Sequence, residues 1–373
     1  MPEHVKVAKG LAGVSITETR IGKSDEDGSL VYRGYPIREL TDHASLEETA
    51  YLITKGSLPT HKQLDEFIAT MRTEMVVPPK ALDVMKDLGR DAHPIDALRT
   101  ACSALGSLDR ARSVHAQQAS IEAKMSVLAA NCHRVPKGER PKTPQEGLGF
   151  AASLLHMLTE RRPTDYELWV FERALILYME HDLNASSFTV RVVASTLADP
   201  YAAVSAGLAS LKGPLHGGAN EGAMEMLLSV QKPENVPRFL DDALGGGRKV
   251  IGFGHRVYKK FDPRALIMKD CLKEILARRG EDDRLYRLCD VMEREMMQRK
   301  GIPANLDFYA APVFYLLGIE IPLYTPIFAA SRVFGWMAHY DEQVAENKLI
   351  RPDATYVGPT NLSYVPIEGR KGN

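Results

Sequence analysis

The sequence predicts a protein that is almost entirely α-helical, with one small β-hairpin near the N-terminus. Capping boxes, in which Ser or Thr is followed three residues later by Glu or Gln, precede several apolar runs. Within those runs the apolar residues recur every three or four positions, which is the spacing of one helix face. We find no series of strands alternating with helices and no repeat of fixed period, so neither a doubly wound sheet nor a solenoid is expected.

The strand signal is confined to the N-terminal region. Val14 and Ile16 alternate with polar neighbours, residues 24–28 read Ser-Asp-Glu-Asp-Gly, and Leu30 and Tyr32 resume an alternating pattern. Alternation on both sides of a polar turn that ends in glycine is typical of a hairpin. We therefore expect two short strands joined by this turn.

The first helices are predicted from their caps. Ser45-x-x-Glu48 and Thr60-x-x-Gln63 are capping boxes, and His93-Pro94 begins another helix. Behind the second box, four apolar residues fall at i, i+3, i+4 and i+7, namely Leu64, Phe67, Ile68 and Met71. This spacing predicts one buried face.

The middle of the chain begins with a polar connection that contains prolines, over residues 133–143. Thr143-Pro144-x-Glu146 and Thr164-x-x-Glu167 then predict two helix starts. The helix behind the second start is apolar nearly all round as far as Met179, which indicates a buried helix rather than a half-exposed one.

The second half of the chain continues the helical pattern. Helices are predicted from Asp199-Pro200, from Asn220, over 235–244, from Pro263, around Leu285 to Met296, and over 325–340. Three consecutive glycines, 245–247, stop one of them. The tail from Pro352 is expected to be extended and irregular.

Composition excludes several classes of protein. The chain has 373 residues, 45% of them hydrophobic and 25% charged, with a net charge of −1 and a pI of about 6.8. This composition is that of an ordinary globular protein, and the balanced charge argues against nucleic acid as the main partner. No apolar run approaches the roughly 18 residues that span a bilayer, and residues 1–6 carry no signal-peptide pattern.

The cysteines fit the same interpretation. Four cysteines lie far apart and form no CxxC pair: Cys102, Cys132, Cys271 and Cys289. Widely spaced cysteines in a chain without a secretion signal are typical of reduced thiols, and a zinc site is not expected. We therefore expect a cytoplasmic protein with no membrane partner.

One loop, residues 248–264, combines several features of a binding site. Gly252 and Gly254 let the backbone approach a bound group, and they lead into His255. Asp262 resembles an N-cap and places Arg264 in the first turn of the next helix, where anions are favoured. Five cations surround the turn, namely Arg248, Lys249, Arg256, Lys259 and Lys260. The loop suits a large anionic ligand with a small one beside it, although its third position does not complete the GxGxxG fingerprint of nucleotide-binding proteins.

Four breaks between predicted helices carry polar groups that could perform chemistry: His181, His216, His255 and Asp307. His216 precedes a helix start, where a neutral imidazole is favoured, and Asp307 lies between Leu306 and Phe308, which should raise its pKa. Taken singly, each of these has a structural explanation, because a histidine at a helix end is most often a hydrogen-bonding group and an aspartate there is usually a cap. Arg332 and Arg351 would by default form salt bridges.

Three phrases together resemble the signature blocks of the citrate synthase family. They are Gly213-Pro-Leu-His-Gly-Gly-Ala-Asn220, Ile251-Gly-Phe-Gly-His-Arg-Val-Tyr258 with Asp262-Pro-Arg264, and Asn305-Leu-Asp307. The resemblance continues, in order, through residues 8–13, 32–37, 93–99, 350–352 and 356–359. It covers nearly the whole chain and is similar to the short bacterial and archaeal citrate synthases and 2-methylcitrate synthases.

The resemblance implies a reaction and a set of roles. Acetyl-CoA would condense with oxaloacetate, and citryl-CoA would then be hydrolysed. Asp307 would remove a methyl proton, His216 would donate a hydrogen bond to the enol oxygen, and His255 would protonate the oxaloacetate carbonyl oxygen. Four residues match positions that hold the carboxylates of oxaloacetate or citrate, namely His181, Arg264, Arg332 and Arg351.

The resemblance also implies the cosubstrate, the assembly and the architecture. The backbone of Lys249, Val250, Ile251, Gly252 and Phe253 would receive CoA, with no metal and no permanently bound cofactor. Arg351 would come from the partner subunit of a homodimer. A large domain, 1–216 with 326–373, would carry the dimer interface, and a small mobile domain, 217–325, would close over the substrates. The chain departs from many relatives in having Asp182 where they have glutamate.

Four alternatives remain open at this point. A 2-methylcitrate synthase would use propionyl-CoA in place of acetyl-CoA, and a dual-specificity enzyme would use both. The difference is one methyl group in a pocket, worth about 1–3 kcal/mol. Outside this enzyme class, two histidines and an aspartate could bind a metal, or the chain could be a non-catalytic CoA-binding protein.

Overall fold

The computed structural model describes residues 8–11, 13–109, 112–280 and 282–370. Residues 1–6, on which the argument about a signal peptide depends, lie outside the described residues. The described chain forms sixteen α-helices and one small antiparallel sheet, which confirms the predicted helical fold class. Within these residues no helix is long and apolar enough to cross a membrane.

The helices follow one another with short connections along the whole chain. The N-terminal half contains α1 Ile37–His43, α2 Leu46–Lys55, α3 His61–Glu74, α4 Pro79–Asp87, α5 Pro94–Leu108, α6 Val114–Asn131, α7 Phe150–Thr159, α8 Asp165–Met179 and α9 Ala185–Ala194. The C-terminal half contains α10 Pro200–Leu211, α11 Ala219–Val230, α12 Val236–Gly245, α13 Pro263–Arg279, α14 Arg284–Lys300, α15 Leu306–Leu316 and α16 Tyr324–Ala345.

The N-terminal strands differ from the predicted hairpin. Strand β1 is Gly22–Ser24, β2 is Leu30–Tyr32 and β3 is Tyr35–Pro36, paired antiparallel in the order β1-β2-β3. The predicted turn is correct, but the prediction that the first strand includes Val14 and Ile16 is wrong. These side chains are 45% and 39% exposed, so their alternation faces no buried surface of this chain.

The predicted capping boxes are present. Ser45, Thr60 and Thr164 each accept the backbone N–H of the third helical residue, whose side chain returns a hydrogen bond to the cap. The prediction of a helix start at Thr143 is wrong, because α7 begins seven residues later, at Phe150. Its first N–H donates to the Glu47 carboxylate of α2 at 3.0 Å, a contact that no local pattern reveals.

The core is built around α16. This helix is buried along nearly its whole length and packs against α2, α6, α8, α9 and α10. Helix α8, predicted to be buried all round, runs beside it with residues 173–179 inaccessible to solvent. Because α8 ends in the interior, the polar residues that follow it, Glu180 and His181, are buried and must find partners there.

Helices α11 to α15 form a second group. Helix α15 packs between α11 and α13, and α12 packs on α14. The group contacts the other helices through α13 against α8 and through α11 against α16. It occupies the range predicted for the small domain, 217–325, and that division and its mobility stay predictions.

Candidate active site

His181 is held where the buried helix α8 ends. The Tyr32 hydroxyl of β2 donates to the carbonyl of Glu180 at 2.7 Å and fixes this extended segment. His181 is buried, and its Nε2 lies 2.9 Å from the hydroxyl oxygen of Tyr258. The next residue, Asp182, has φ 52°, a left-handed conformation that Asp adopts more readily than most residues. The conformation offers a physical account of an aspartate at this position.

His255 lies in a loop whose backbone pairs with the start of α15. Gly254 N–H donates to the Pro303 carbonyl at 2.8 Å, and Asn305 N–H donates to the Gly252 carbonyl at 2.9 Å. Gly252 has φ 85°, and a Cβ there would lie 2.9 Å from the Cβ of Phe308. Only glycine allows this close approach, which ties the position of His255 to the helix that carries Asp307.

The ring of His255 is oriented by its own loop. Its Nδ1 accepts the backbone N–H groups of Val257 and Tyr258 at 3.1 and 3.3 Å. The neutral ring therefore carries its proton on Nε2. The Nη2 of Arg264 lies 3.4 Å from this Nε2, so two donors face each other and an acceptor placed between them would bind both.

Arg264 is buried in a bidentate pair. Its Nε and Nη2 donate to the two carboxylate oxygens of Asp262 at 3.0 and 2.8 Å. Asp262 also accepts the N–H of Arg264, as the predicted N-cap of α13, and the N–H of Leu306 at the start of α15. Although burial alone would lower it, the Asp262 carboxylate raises the pKa of Arg264. The pair thus keeps a permanent cation beside His255.

Asp307 lies in the first turn of α15 rather than at its cap. Asn305 is the cap and accepts the N–H of Asp307 at 3.1 Å, which leaves the Asp307 side chain free to face the site. Its Oδ1 accepts the Tyr178 hydroxyl at 2.8 Å. Burial raises the pKa of Asp307 to about 6, in the direction that its apolar neighbours predict, while Tyr178, Arg264 and Arg332 oppose that shift.

His216 lies in the connection between α10 and α11. Its Nε2 is 2.8 Å from the hydroxyl oxygen of Ser186, on α9. Ser186 also accepts the indole N–H of Trp336 at 3.1 Å. Burial, with a further contribution from Arg332, lowers the pKa of His216 to about 3. The ring is therefore neutral at physiological pH, as expected, but burial rather than a helix terminus is the main cause.

The two remaining histidines of the predicted set behave alike. Burial and the Arg264 cation lower the pKa of His255 to about 4 and hold the pKa of His181 well below its usual range. The site therefore presents three neutral imidazoles, which can donate a hydrogen bond without adding charge.

Arg332 projects from the buried helix α16. Its Nε donates to the carbonyl of Tyr178 at 2.7 Å, its Nη1 is buried, and the guanidinium lies 4.8 Å from the ring centre of Phe328. Among the described residues Nη1 has no hydrogen-bond partner. Burial lowers the pKa of Arg332 to about 10, so the group is still a cation at neutral pH.

The structure brings six of the seven predicted catalytic and substrate-binding residues together. The rings of His181 and His255 lie 4.9 Å apart between centroids, and Arg264 adjoins the second. Tyr178 connects Asp307 with Arg332, and its ring packs on Phe328 at 4.4 Å. The ring of His216 lies 6.0 Å from the same phenylalanine.

Arg351 does not join this set within one chain. It lies in the extended C-terminal segment, where its side chain is 75% exposed and pairs with Asp353 at 2.6 Å. The segment also exposes large apolar side chains to solvent, namely Leu349, Tyr356, Val357, Leu362, Tyr364 and Ile367. An arginine on such a segment fits the expectation that it acts outside its own chain, which stays a prediction.

The predicted CoA segment runs along the surface beside the site. Lys249 and Ile251 are exposed, whereas Val250 and Gly252 are buried. Phe253 forms a bridge with Ala304, and its ring packs on Phe308 at 4.6 Å. The segment thus combines an exposed lysine with an anchored C-terminal end, and its role in receiving CoA stays a prediction.

Sequence reasoning missed four residues of the site: Tyr178, Tyr258, Ser186 and Trp336. Tyr178 and Trp336 lie within apolar helical runs, where an aromatic residue normally indicates packing. The signal that could have found them is their polar atom, because a buried Tyr hydroxyl or Trp N–H usually has a hydrogen-bond partner. Tyr258 ends one of the phrases that were recognised, whereas the contact of Ser186 with His216 joins two distant segments.

The metal-binding alternative receives no support from this arrangement. Within the described ranges, no group of three or more His, Cys, Asp or Glu side chains is placed to hold a metal ion. The four cysteines are free and buried at separate positions.

Comparison with known proteins gives the family. The model of the citrate synthase C-terminal domain matches residues 10–353. A citrate synthase of Synechocystis is 40% identical over 380 residues, which covers 99% of this chain and 96% of that protein. A Bacillus subtilis protein described as a citrate/2-methylcitrate synthase is 41% identical, and a 2-methylcitrate synthase of Shewanella oneidensis is 39% identical. These two matches cover 96% and 97% of this chain and 98% and 97% of the relatives.

Comparison with solved structures gives the same family as the sequence relatives. The citrate synthase of Thermoplasma acidophilum, in a ternary complex with carboxymethyl coenzyme A and oxaloacetate, has a TM-score of 0.93 and 33% identity. The match covers 98% of this chain and all of that one. The citrate synthase of Thermotoga maritima has a TM-score of 0.89 and 37% identity, with 98% of this chain and 100% of that one covered. With the family model, the relatives and the solved structures in agreement over nearly its full length, the chain belongs to the citrate synthase family.

Proposed function

We propose that this acyltransferase condenses acetyl-CoA with oxaloacetate and hydrolyses the resulting citryl-CoA to citrate and CoA. The observation that carries the proposal is Asp307, a buried carboxylate with a pKa of about 6 in a site that also holds two arginines and three neutral histidines. Such a carboxylate is ionised at neutral pH and is a stronger base than an exposed aspartate. The arginines supply the charge that a dicarboxylate requires.

The first step is removal of a proton from the acetyl methyl group by Asp307. The electron pair left behind moves onto the thioester oxygen, where negative charge develops. His216 can donate a hydrogen bond to that oxygen if its proton lies on Nδ1. That tautomer requires the Ser186 hydroxyl, which accepts the Trp336 N–H, to donate its proton to Nε2 of His216 rather than to Oδ1 of Asn184, which also lies 2.8 Å away.

The second step forms the new carbon–carbon bond. The enol carbon attacks the ketone carbon of oxaloacetate, and the ketone oxygen takes a proton from Nε2 of His255. The hydrogen bonds at Nδ1 keep that proton on Nε2. A ketone oxygen placed between His255 and Arg264 would accept from both donors, which are 3.4 Å apart. Water then cleaves the thioester: its oxygen joins the new carboxylate, one of its protons goes to the sulfur of CoA and the other restores the Nε2–H of His255. Asp307 returns the methyl proton to solvent as citrate and CoA leave.

Substrate carboxylates would be held by Arg264, Arg332 and His181, with Arg351 supplied by the partner subunit of a homodimer. The guanidinium fork matches a carboxylate, and Arg332 has a buried Nη1 to offer. CoA would lie along residues 249–253, with its phosphates near the cationic rim of the loop. Movement of residues 217–325 would exclude water before the proton is removed. The reduced cysteines fit a reaction that takes place in the cytoplasm.

The test is release of CoA thiol in the presence of oxaloacetate, with Asp307→Asn as the decisive variant. We expect activity in the wild type and a loss of at least a hundredfold in Asp307→Asn, because the amide cannot accept the proton. Asp290→Asn, which changes a carboxylate on α14 that is paired with Lys269 of α13, is the matched control and should retain activity. Full activity of Asp307→Asn would refute the mechanism, and CoA binding without any turnover in the wild type would favour a non-catalytic protein.

Propionyl-CoA is the second candidate acyl donor, because relatives described as 2-methylcitrate synthases are about as similar as the citrate synthases. The same assay with both thioesters, compared by kcat/KM, decides between them. A preference for propionyl-CoA would assign a 2-methylcitrate synthase, and equal values would assign dual specificity.

A further inference from the structure

Tyr178 occupies the last turn of α8, and the steps above give its side chain no role. It is fully buried, yet its hydroxyl donates to Oδ1 of Asp307 at 2.8 Å. Among the described residues, this hydroxyl is the one group that hydrogen-bonds the Asp307 carboxylate. A side chain from one helix group therefore contacts the base carried by the other.

The position of Tyr178 is fixed by its surroundings. Its ring packs against Phe328 at 4.4 Å and against Phe314 at 6.2 Å between centroids. Its carbonyl accepts the Nε of Arg332 at 2.7 Å. Because the ring and the backbone of Tyr178 are both held, the position of its hydroxyl is fixed and can determine the orientation of the Asp307 carboxylate.

The charged groups that act on Asp307 come from two directions. Arg264 and Asp262 face it from the start of α13, and Arg332 faces it from α16. From α11, Glu221 is engaged by Thr325 and His93 instead. From α14, Glu293 accepts the hydroxyl of Tyr309 at 2.6 Å. Arg264, Asp262 and Arg332 act on Asp307 through charge, whereas Tyr178 acts through a directed hydrogen bond.

We propose that Tyr178 is a positioning residue that orients the Asp307 carboxylate and tunes its strength as a base. This inference rests on the proposed function of Asp307. With Oδ1 occupied by the phenol, Oδ2 is the oxygen that faces the methyl group and takes its proton. The phenol stays protonated, because burial and the neighbouring Asp307 hold the pKa of Tyr178 well above its usual range. It can therefore donate throughout the reaction.

The hydrogen bond should have a measurable effect on pH dependence. A donor stabilises the ionised carboxylate, so it keeps Asp307 ionised at lower pH than burial alone would allow. Removing the hydroxyl should raise the pKa of Asp307 and move the acid limb of the pH profile upward. The profile of kcat/KM for acyl-CoA, at saturating oxaloacetate, reports this group directly.

The experiment compares Tyr178→Phe with Tyr309→Phe. Both changes remove a buried phenol hydroxyl that donates to a carboxylate, but the partner of Tyr309 is Glu293, which has no role in the reaction. We expect the acid limb of Tyr178→Phe to move up by about one pH unit, equivalent to about 1.4 kcal/mol. The acid limb of Tyr309→Phe should stay at the wild-type position.

A second variant keeps the hydroxyl and should move the acid limb in the opposite direction. Incorporation of 3,5-difluorotyrosine at position 178 makes the phenol a stronger donor, so the acid limb should move below that of the wild type. This variant also serves if Tyr178→Phe does not fold. An acid limb that stays unchanged in either folded variant, or that moves equally in Tyr309→Phe, would overturn the proposal.

Failure of this inference can be distinguished from failure of the proposed function. If Asp307→Asn abolishes thiol release while the acid limbs of the Tyr178 variants do not move, Asp307 is the base and Tyr178 only packs. If Asp307→Asn keeps full activity, the proposed mechanism itself is wrong and the role of Tyr178 falls with it.

Discussion

Replacing Gly252 by alanine tests how the His255 loop is coupled to the helix that carries Asp307. Gly252 has φ 85°, a conformation that costs a residue with a Cβ about 1–2 kcal/mol. The new methyl group would also lie 2.9, 3.0 and 3.1 Å from the Cβ, Cδ2 and Cα of Phe308. Overpacking of this kind costs about 1–3 kcal/mol. The sum predicts a destabilisation of about 2–5 kcal/mol.

Gly247→Ala separates the two contributions. Gly247 also has a positive φ, 68°, but no atom lies within 4 Å of the Cβ that alanine would add. We expect this control to lose only the backbone contribution, about 1–2 kcal/mol. The difference between the two variants then measures the contact with Phe308.

The assay is urea-induced unfolding at equal protein concentration, together with kcat/KM for thiol release. Because Phe308 follows Asp307 directly, relief of the clash must shift the base, and a displacement near 1 Å can cost about a hundredfold in rate. Gly252→Ala should therefore lose both stability and rate, whereas Gly247→Ala should keep its rate. Equal destabilisation of the two variants, with no loss of rate in either, would refute the coupling.

Two further predictions concern buried carboxylates. Asp262→Asn should raise KM for oxaloacetate and lower the free energy of unfolding by about 3–5 kcal/mol, because Arg264 would lose a buried ionic partner. The control is Asp270→Asn, which removes an exposed pair with Arg38 and should leave both KM and the free energy of unfolding unchanged. Burial raises the pKa of Glu122 on α6 to about 8, so the folded state binds the proton more tightly than the unfolded state and loses stability as pH rises from about 4.5 to 8. Glu122→Gln should remove this loss and gain more than about 1 kcal/mol at pH 8 but not at pH 4.5, as measured by urea unfolding at the two pH values.

Local patterns predicted the helices whose ends are determined locally. The caps at Ser45, Thr60 and Thr164 form within four residues of sequence, so the sequence alone contains all the interacting groups. The start of α7 was predicted too early because Glu47, from another helix, supplies the acceptor for its first N–H. The first strand was misplaced because Val14 and Ile16 alternate without a buried surface beside them.

The candidate site was likewise predicted where its signals are local and missed where they depend on distant contacts. Histidine, arginine and aspartate stand out in breaks between helices, and the family resemblance supplied their roles. Tyr178 and Trp336 could not be recognised in this way, because their rings satisfy an apolar pattern and only the fold shows where the polar atom points. The sequence predicted Asp262 as a helix cap but not its bidentate pair with Arg264. It also could not predict the contact of Asp262 with the N–H of Leu306, because the two residues are 44 positions apart.

The role of Arg351 can be tested without a structure of the assembly, by mixing two inactive variants. If Arg351 acts on the partner's site, Asp307→Asn and Arg351→Ala homodimers each have two defective sites. A mixed dimer then contains one site with an intact Asp307 and an intact Arg351, and one site that lacks both. Random reassociation of equal amounts should therefore restore about a quarter of wild-type activity. If Arg351 acts within its own chain, every site in the mixed dimer lacks one of the two groups, and mixing restores nothing. The exposed position of Arg351, whose described partner is Asp353 of its own segment, favours the first result.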